Sequence, residues 1–328
     1  MFLKLPRFTT VFFFPIIVAT GLFYAVSFVE GNYICDLCSQ ARLLLILPLG
    51  LILLITLLRN NAAISFCATV LLTVIGIQTI FGSGHLLDKR SESRAKVESK
   101  NEITILNFNT EFQHNNNIDS FIAYCKEKDP DIVVLTESQK NWIDAIDKLK
   151  YPTGMHILKG VGVSVLSKYR TLGSQVYFLG MSKHPQVHFQ INKDNQIINV
   201  VVLHLSARQT PAGYNDRQSE LQTLQKQLKK TNYPTIVLGD TNSSNWSSSI
   251  KSFLNGANLK DTQDGFITIP TWPARKGKII KDIAIPPFVA IDNVFVSKDF
   301  EVLERKVGPA LGSDHMPIFV KLHLSKRI

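Results

Sequence analysis

Polar side chains that can bind a metal ion or transfer a proton recur at the ends of short apolar segments in the C-terminal two thirds of the chain. They are Asn107, Asn109, Glu137, His204, Asp240, Asn242, Asp292, Asp314 and His315. Magnesium prefers carboxylate oxygens together with water and a substrate phosphate. Amide N–H groups and a protonated imidazole stabilise negative charge that develops on phosphoryl oxygens. The combination therefore predicts phosphate chemistry assisted by a divalent cation.

Each of these residues also has an ordinary structural explanation. A glutamate after an apolar strand can be a surface residue, a lone histidine can belong to the core, and Gly239-Asp-Thr-Asn242 is a good turn sequence. What favours a site is their recurrence at strand boundaries along the whole segment, where the backbone holds a side chain firmly and leaves it accessible.

The elements that must position these side chains are mostly strands. Short apolar runs of the β type are Ile103–Phe108, Asp131–Leu135, Val161–Leu166, Gln186–Ile191, Ile197–Leu205, Thr235–Leu238, Ala290–Val296 and Ile318–Leu322. Helical patterns lie between some of them, at Ile118–Lys128, Gln139–Lys148 and Ala212–Lys229. Several strands are too close in sequence for a helix to connect them, which favours mixed sheets in an α/β sandwich over a doubly wound Rossmann domain. No Gly-rich nucleotide motif is present.

The order of the motifs resembles the endonuclease/exonuclease/phosphatase superfamily. That superfamily includes pancreatic-type deoxyribonucleases, apurinic endonucleases, neutral sphingomyelinases and inositol polyphosphate 5-phosphatases. The resemblance covers residues 101–325, and the Gly-Asp-Thr-Asn motif ending at Asn242 and the Ser-Asp-His motif ending at His315 are its specific parts. It implies a four-layer αββα sandwich, like that of deoxyribonuclease I, which hydrolyses a phosphoester with Mg²⁺ or Mn²⁺.

The resemblance also implies a metal site. Glu137 is expected to bind the Mg²⁺ or Mn²⁺, with Asn107 oriented beside it and Asp314 as an additional ligand. Asn109 stands where some apurinic endonucleases have an aspartate, so the affinity for the metal is expected to rest more on Glu137. We assign Asn109 to substrate binding.

The remaining catalytic roles follow from the same resemblance. Asp240 is expected to position and deprotonate the attacking water, and Asn242 to hold the phosphoryl oxygen. His315 is expected to contact the scissile phosphate, with its other nitrogen held by Asp292. His204 is expected to bind a phosphate oxygen.

The substrate is less well determined by the sequence. The net charge of +10 favours a polyanion, and nucleic acid is the favoured substrate and partner. Arg208 and Trp272 are predicted to bind the substrate, and Trp246 is a second candidate for stacking on a base. Other basic residues near predicted loops are Lys168, Arg170, Lys183, Arg217, Arg275, Lys276 and Lys278. Alternatives are a phospholipid head group or another small phosphoester, and a catalytically silent binding module.

The N-terminal part differs sharply in composition, because residues 1–84 contain only six charged side chains. Uncharged runs at residues 8–29, Leu43–Leu58 and Asn60–Leu87 predict three transmembrane helices. The alternative for the first run is a cleaved signal peptide. The predicted organisation is thus a membrane region at 1–87 that contacts the lipid bilayer, a charged linker at 88–100 and a catalytic domain at 101–328. It is similar to a bacterial membrane-anchored branch of the superfamily.

The side of the membrane follows from conflicting signals. Lys4, Arg7 and Arg59 favour an outside catalytic domain, whereas the basic residues that directly follow Asp88 favour an inside one. Cys35-Asp-Leu-Cys38 can form a disulfide only in an oxidising compartment, and two unpaired thiols are the alternative. We predict an integral protein of the bacterial inner membrane with a periplasmic catalytic domain. Cys67 and Cys125 are predicted to be small buried residues.

Overall fold

Two six-stranded sheets packed face to face dominate the computed structural model. It describes residues 5–81 except 28, 30, 41 and 60, and residues 101–325 except 160, 182–183, 264–268 and 275–286. The strands are β1 Glu102–Asn109, β2 Ile132–Thr136, β3 Thr153–Ile157, β4 Val163–Ser167, β5 Thr171–Phe178, β6 Pro185–Lys193, β7 Gln196–His204, β8 Thr235–Asp240, β9 Leu259–Asp261, β10 Asp292–Ser297, β11 Phe300–Val307 and β12 Ile318–Leu324. The helices are α1 Leu5–Val26, α2 Tyr33–Gln40, α3 Ile46–Leu58, α4 Ala62–Phe81, α5 Ile118–Lys128, α6 Lys140–Ile146, α7 Pro211–Leu228 and α8 Ser248–Ala257.

Both sheets are mixed. The first has the order β11-β12-β1-β2-β4-β3 and the second β5-β6-β7-β8-β10-β9. β1 is parallel to β2 and β7 is parallel to β8, whereas the other pairs are antiparallel. The carboxyl ends of β1 and β2 therefore meet at one edge, as do those of β7 and β8.

The side chains of each central strand alternate between two cores. In β1, Ile105 points into the layer between the sheets, whereas Phe108 packs on the outside against Phe121 of α5. In β8, Leu238 joins the inner layer and Val237 packs with Leu224 of α7. Helices α5 and α6 thus cover the first sheet and α7 and α8 the second, so the predicted mixed-sheet α/β sandwich is confirmed.

The N-terminal helices correct the membrane prediction. A helix needs about 20 apolar residues to cross a bilayer, but the run Leu43–Leu58 starts in a 3₁₀ turn and leaves α3 only 13 residues. Within the described ranges, we find no helix that is both long enough and apolar enough for a crossing. The predicted inner-membrane location with a periplasmic catalytic domain was therefore wrong. The three predicted spans are not found among the described helices, and the bilayer contact predicted for residues 1–87 is not supported. The predicted linker at 88–100 lies outside the described residues.

These helices pack against one another instead. Ile17 of α1, Leu49 of α3 and Ile75 of α4 belong to one buried apolar cluster. The Ser65 hydroxyl of α4 donates a hydrogen bond of 3.0 Å to the Thr56 hydroxyl of α3. A packed helical unit therefore precedes the sandwich.

The cysteines are free thiols. Cys35 and Cys38 are both buried in α2 and are not bonded to each other, so the structure contains the two unpaired thiols and not the disulfide. Cys125 is buried as predicted, but Cys67 is exposed on α4. Its predicted burial was wrong because its neighbours in sequence are apolar all round the helix and do not define a buried face.

Candidate active site

Three of the candidate side chains form a row across the second sheet. β8 lies between β7 and β10, and Asp240 at its end is in register with His204 of β7 and with Asp292 of β10. In-register residues of neighbouring strands project from the same face of a sheet. The strand pairing alone thus brings two carboxylates and one imidazole together.

The first sheet adds an amide and a carboxylate. Asn109 ends β1, and Glu137 directly follows β2. The Nδ2 group of Asn109 donates hydrogen bonds to Glu137 Oε1 at 3.1 Å and to Asp240 Oδ2 at 2.9 Å. One side chain therefore links the carboxylates of the two sheets across the sandwich.

Unusual backbone conformations hold the turn that carries Asp240. Gly239 has a φ of 136°, and a Cβ there would lie 2.0 Å from the carbonyl oxygen of Leu203. Asn242 has a φ of 47°; its backbone N–H donates to Asp240 Oδ1 at 2.7 Å and its Nδ2 group to the carbonyl of Leu205 at 2.9 Å. Since such conformations cluster at functional sites, we regard this turn as built to orient Asp240. The amide of Asn242, which the sequence assigned to the phosphoryl oxygen, is engaged by the backbone.

His315 is held by an ion pair. Its Nδ1 lies 2.8 Å from Asp292 Oδ2, and its Nε2 lies 3.8 Å from Asp240 Oδ2. Burial alone lowers the pKa of His315, but Asp292 and Asp240 outweigh it and raise the pKa to about 10. The imidazole therefore carries a proton at neutral pH.

The two carboxylates that Asn109 links have raised pKa values. Burial raises the pKa of Asp240 to about 7, against the opposing charge of His315. Burial also raises the pKa of Glu137, although the hydrogen bond from Asn109 opposes this. A buried and a half-buried carboxylate side by side favour either a proton or a cation between them.

The same residues are suited to hold a cation. Ligand atoms of Glu137, His204 and Asp240 all lie within 4.8 Å of one another. His204 is buried, neither of its ring nitrogens hydrogen-bonds to a described residue, and burial keeps its pKa well below the usual value. The side-chain oxygen and nitrogen of Asn107 are likewise buried and without a partner among the described residues. Two oxygen donors beside a neutral imidazole fit a divalent cation.

A second possible cation group consists of Asp240, Asp292 and His315. His315 is protonated and pairs with Asp292. Because His315 Nδ1 and Asp292 Oδ2 already contact each other at 2.8 Å, we describe this group as an ion pair.

These residues open onto a cavity of about 400 Å³. It is lined by Leu37, Gln40, Glu111, Glu137, Ala207, Gln209, Asp240, Asn242, Trp272, Phe288, Val289, Ile291, Asp314 and His315. The lining thus combines polar and apolar side chains.

The other predicted site residues are placed as follows. Asp314 lines the cavity, where its Oδ2 accepts a hydrogen bond of 3.1 Å from Trp272 Nε1. Arg208 is exposed and is not among the described lining residues. Arg217, which was offered as a surface cation, and Trp246, which was offered for base stacking, are buried. Neither is a described lining residue of the cavity, so both belong to the packing of the domain.

Other lining residues escaped the sequence analysis. Glu111 accepts a hydrogen bond of 3.0 Å from the backbone N–H of Asp314, and Phe288 contacts Trp272 with ring centroids 6.1 Å apart. Leu37 and Gln40 come from α2, far away in sequence. Glu111 lies two residues after Asn109 and was within reach of motif reasoning, whereas nothing in the sequence links α2 to the site.

Comparison with known proteins agrees with this geometry. The sequence profile described as the endonuclease/exonuclease/phosphatase family matches residues 106–315. The chain belongs to this family. No curated protein matches the sequence significantly. The resemblance that the motifs predicted is thereby confirmed.

Several solved structures share the fold. TDP2 of D. rerio, crystallised with a single-strand DNA product, is 15% identical with a TM-score of 0.57, covering 68% of this chain and 99% of its own. The family protein from Bacteroides vulgatus is 17% identical with a TM-score of 0.56 and the same coverage. The human Nocturnin catalytic domain, with a bound sulfate, is 17% identical with a TM-score of 0.52, covering 70% and 97%. As a member of this family, the chain is a metal-dependent hydrolase of phosphoester bonds.

Proposed function

We propose that the enzyme is a phosphodiesterase that uses Mg²⁺ or Mn²⁺. Glu137 and His204 are the residues we assign to the cation, with Asn107 beside them and Asp314 as an additional ligand at the cavity wall. A bound cation would neutralise charge on the phosphoryl oxygens. The buried carboxylates and the unused buried amide described above support this assignment.

The protein's own residues supply the proton transfers. Asp240 accepts a proton from the attacking water, because its carboxylate is oriented by Asn109 and Asn242 and its pKa lies near neutrality. His315 donates a hydrogen bond from Nε2 to a phosphoryl oxygen. Asp292 fixes the tautomer and orientation of that imidazole.

The charge of the residues that line the cavity favours a phosphodiester over a phosphomonoester as the substrate. Its described lining residues include four carboxylates and one imidazole but no lysine or arginine. A phosphomonoester carries close to two negative charges at neutral pH, whereas a diester carries one. With a single divalent cation to offset the carboxylates, the diester is the better match.

A nuclease that acts on single-stranded nucleic acid is the second candidate. The sequence has a net charge of +10, and Trp272 and Phe288 in the cavity wall are suited to stack on a base. A long basic track is less well supported, because Arg217 is buried and Lys168 pairs with Asp129 at 2.8 Å. Lys183, Arg275, Lys276 and Lys278 lie outside the described residues.

The test uses the full chain with Mg²⁺ or Mn²⁺. Bis(4-nitrophenyl) phosphate, 4-nitrophenyl phosphate and a single-stranded oligonucleotide are compared, with Asp240→Asn as the control that removes the base. We expect hydrolysis of the diester, little hydrolysis of the monoester, and loss of both in the variant. Preferential hydrolysis of the monoester would overturn the proposal. Silence on all three would favour a binding module.

A further inference from the structure

Helix α2 forms part of the active-site cavity although it lies outside the family segment. The family profile begins at residue 106, whereas α2 spans Tyr33–Gln40. Leu37 and Gln40 nevertheless line the same cavity as Asp240 and His315. The cavity is therefore completed by an element that the family segment does not contain.

Buried polar contacts hold α2 in place. The Asp36 carboxylate is 1% exposed and accepts hydrogen bonds from the hydroxyls of Ser247 and Ser249. Arg217 Nη2 lies 3.8 Å from the same carboxylate. Because a buried carboxylate is costly unless it is compensated, these contacts fix the position of the helix against α7 and α8.

A second contact joins α2 to the catalytic turn. The Tyr33 hydroxyl donates a hydrogen bond of 2.6 Å to the backbone carbonyl of Gln209. Gln209 lines the cavity, and its side-chain amide lies 3.4 Å from the carbonyl oxygen of Asn242. The helix is thus attached to the loop that follows Asp240.

Leu37 is one of six apolar residues that line the cavity, which we call the apolar wall. The other apolar side chains lining the cavity are those of Ala207, Trp272, Phe288, Val289 and Ile291. The indole of Trp272 is fixed by its hydrogen bond to Asp314 and by its edge contact with Phe288. An ester group beside a phosphate bound at His315 would meet this wall, and burying apolar area there stabilises the complex.

We propose that Leu37 of α2 is a specificity-determining residue, and that the substrate is a phosphodiester with one aromatic or long-chain alkyl ester group seated against this wall. The proposal rests on the proposed function. It adds that an N-terminal helix, and not only the family domain, selects the substrate.

The test compares two diesters with the same leaving group in the full-length protein: 4-nitrophenyl phenyl phosphate and 4-nitrophenyl methyl phosphate. In Leu37→Ala, we expect kcat/KM for the phenyl ester to fall about tenfold, which corresponds to the apolar contact of a leucine side chain. The value for the methyl ester is expected to change less than about twofold. Ile34→Ala is the matched control, because Ile34 is on the same helix but 63% exposed and is not a described lining residue.

A binding measurement separates this proposal from the proposed function. Diphenylphosphinate and dimethylphosphinate have P–C bonds that cannot be hydrolysed, and calorimetry gives their affinities for the wild type, Leu37→Ala and Ile34→Ala. Weaker binding of the diphenyl compound in Leu37→Ala alone would support the role of α2 even if no diester is hydrolysed. An equal loss of affinity for both compounds, or no loss for either, would overturn the role of Leu37 in specificity. The proposed function is tested separately by hydrolysis that depends on Asp240. Leu37→Met serves as a second variant if the alanine variant unfolds early.

Discussion

His315 and Asp292 form a buried ion pair in which Nδ1 lies 2.8 Å from Oδ2. The two residues come from the loop before β12 of the first sheet and from the start of β10 in the second. The pair therefore joins the sheets at the same edge where Asn109 joins Glu137 to Asp240. Its carboxylate is what keeps the imidazole protonated and correctly oriented.

Asp292→Asn should lower kcat/KM for a diester by about 100-fold or more, since the oriented proton donor is lost. The pKa of His315, about 10 in the wild type, should fall because the nearest negative charge is gone. As the pH rises, the variant should therefore lose activity at a lower pH than the wild type does. A profile of kcat/KM against pH measures both effects. Asp119→Asn, an exposed carboxylate on α5, is the control. An unchanged alkaline limb would contradict the role of the pair.

Asp36→Ala should destabilise the protein by about 3 kcal/mol, because it removes the carboxylate with the largest charge effect on the buried guanidinium of Arg217 and the acceptor of the Ser247 and Ser249 hydroxyls. Urea unfolding measures the change. The matched control is Asp144→Ala, which removes an exposed ion pair with Lys140 at 3.1 Å and should cost less than about 1 kcal/mol. Equal effects in the two variants would show that Asp36 contributes no more than a surface charge.

Gly239→Ala should destabilise by about 3 kcal/mol or more and should also displace Asp240. The reason is a Cβ 2.0 Å from the carbonyl oxygen of Leu203, at a φ of 136°. Gly173→Ala in β5 is the control, because a Cβ there meets nothing within 4 Å. Thermal unfolding and diester hydrolysis are the two measurements. Comparable behaviour of both variants would mean that the turn tolerates a side chain.

His188 should make the protein less stable in acid. Burial lowers its pKa to about 4, from about 6.5 in the unfolded chain. Between these values the unfolded state binds a proton that the folded state does not, so stability falls as the pH drops from 6.5 towards 4. The loss due to this group is about 2–3 kcal/mol. Urea unfolding of the wild type and His188→Gln at pH 7 and pH 5 measures it, and the variant should depend less on pH. Identical pH dependence would refute the assignment.

The sequence predicted the central strands of both sheets but missed the outer ones. The eight predicted strands correspond to β1, β2, β4, β6, β7, β8, β10 and β12. The four that were missed, β3, β5, β9 and β11, are the edges of the two sheets. A central strand covered on both faces is a continuous apolar run, whereas an edge strand such as β5 is largely exposed and carries polar residues. Edge strands therefore lack the pattern on which the prediction depends.

The site shows a similar division. The residues at the ends of central strands, such as Glu137 and Asp240, were selected because strand ends were recognisable, and the structure brings them together. Leu37 and Phe288 were not selected, since the sequence does not distinguish an apolar residue that lines a cavity from one in the core. The second predicted span failed because a count of uncharged residues does not show where a helix begins, as at the short α3.

The side chain of Asn109 bears on whether the protein folds before it binds a metal ion. Its neutral amide donates to both neighbouring carboxylates, so that their mutual repulsion is relieved within the polypeptide. An aspartate at this position would add a third negative charge and no donor. The domain can therefore fold without a metal ion, and the ion then binds to a site that is already formed. A chelator should accordingly abolish hydrolysis without lowering the temperature at which the protein unfolds.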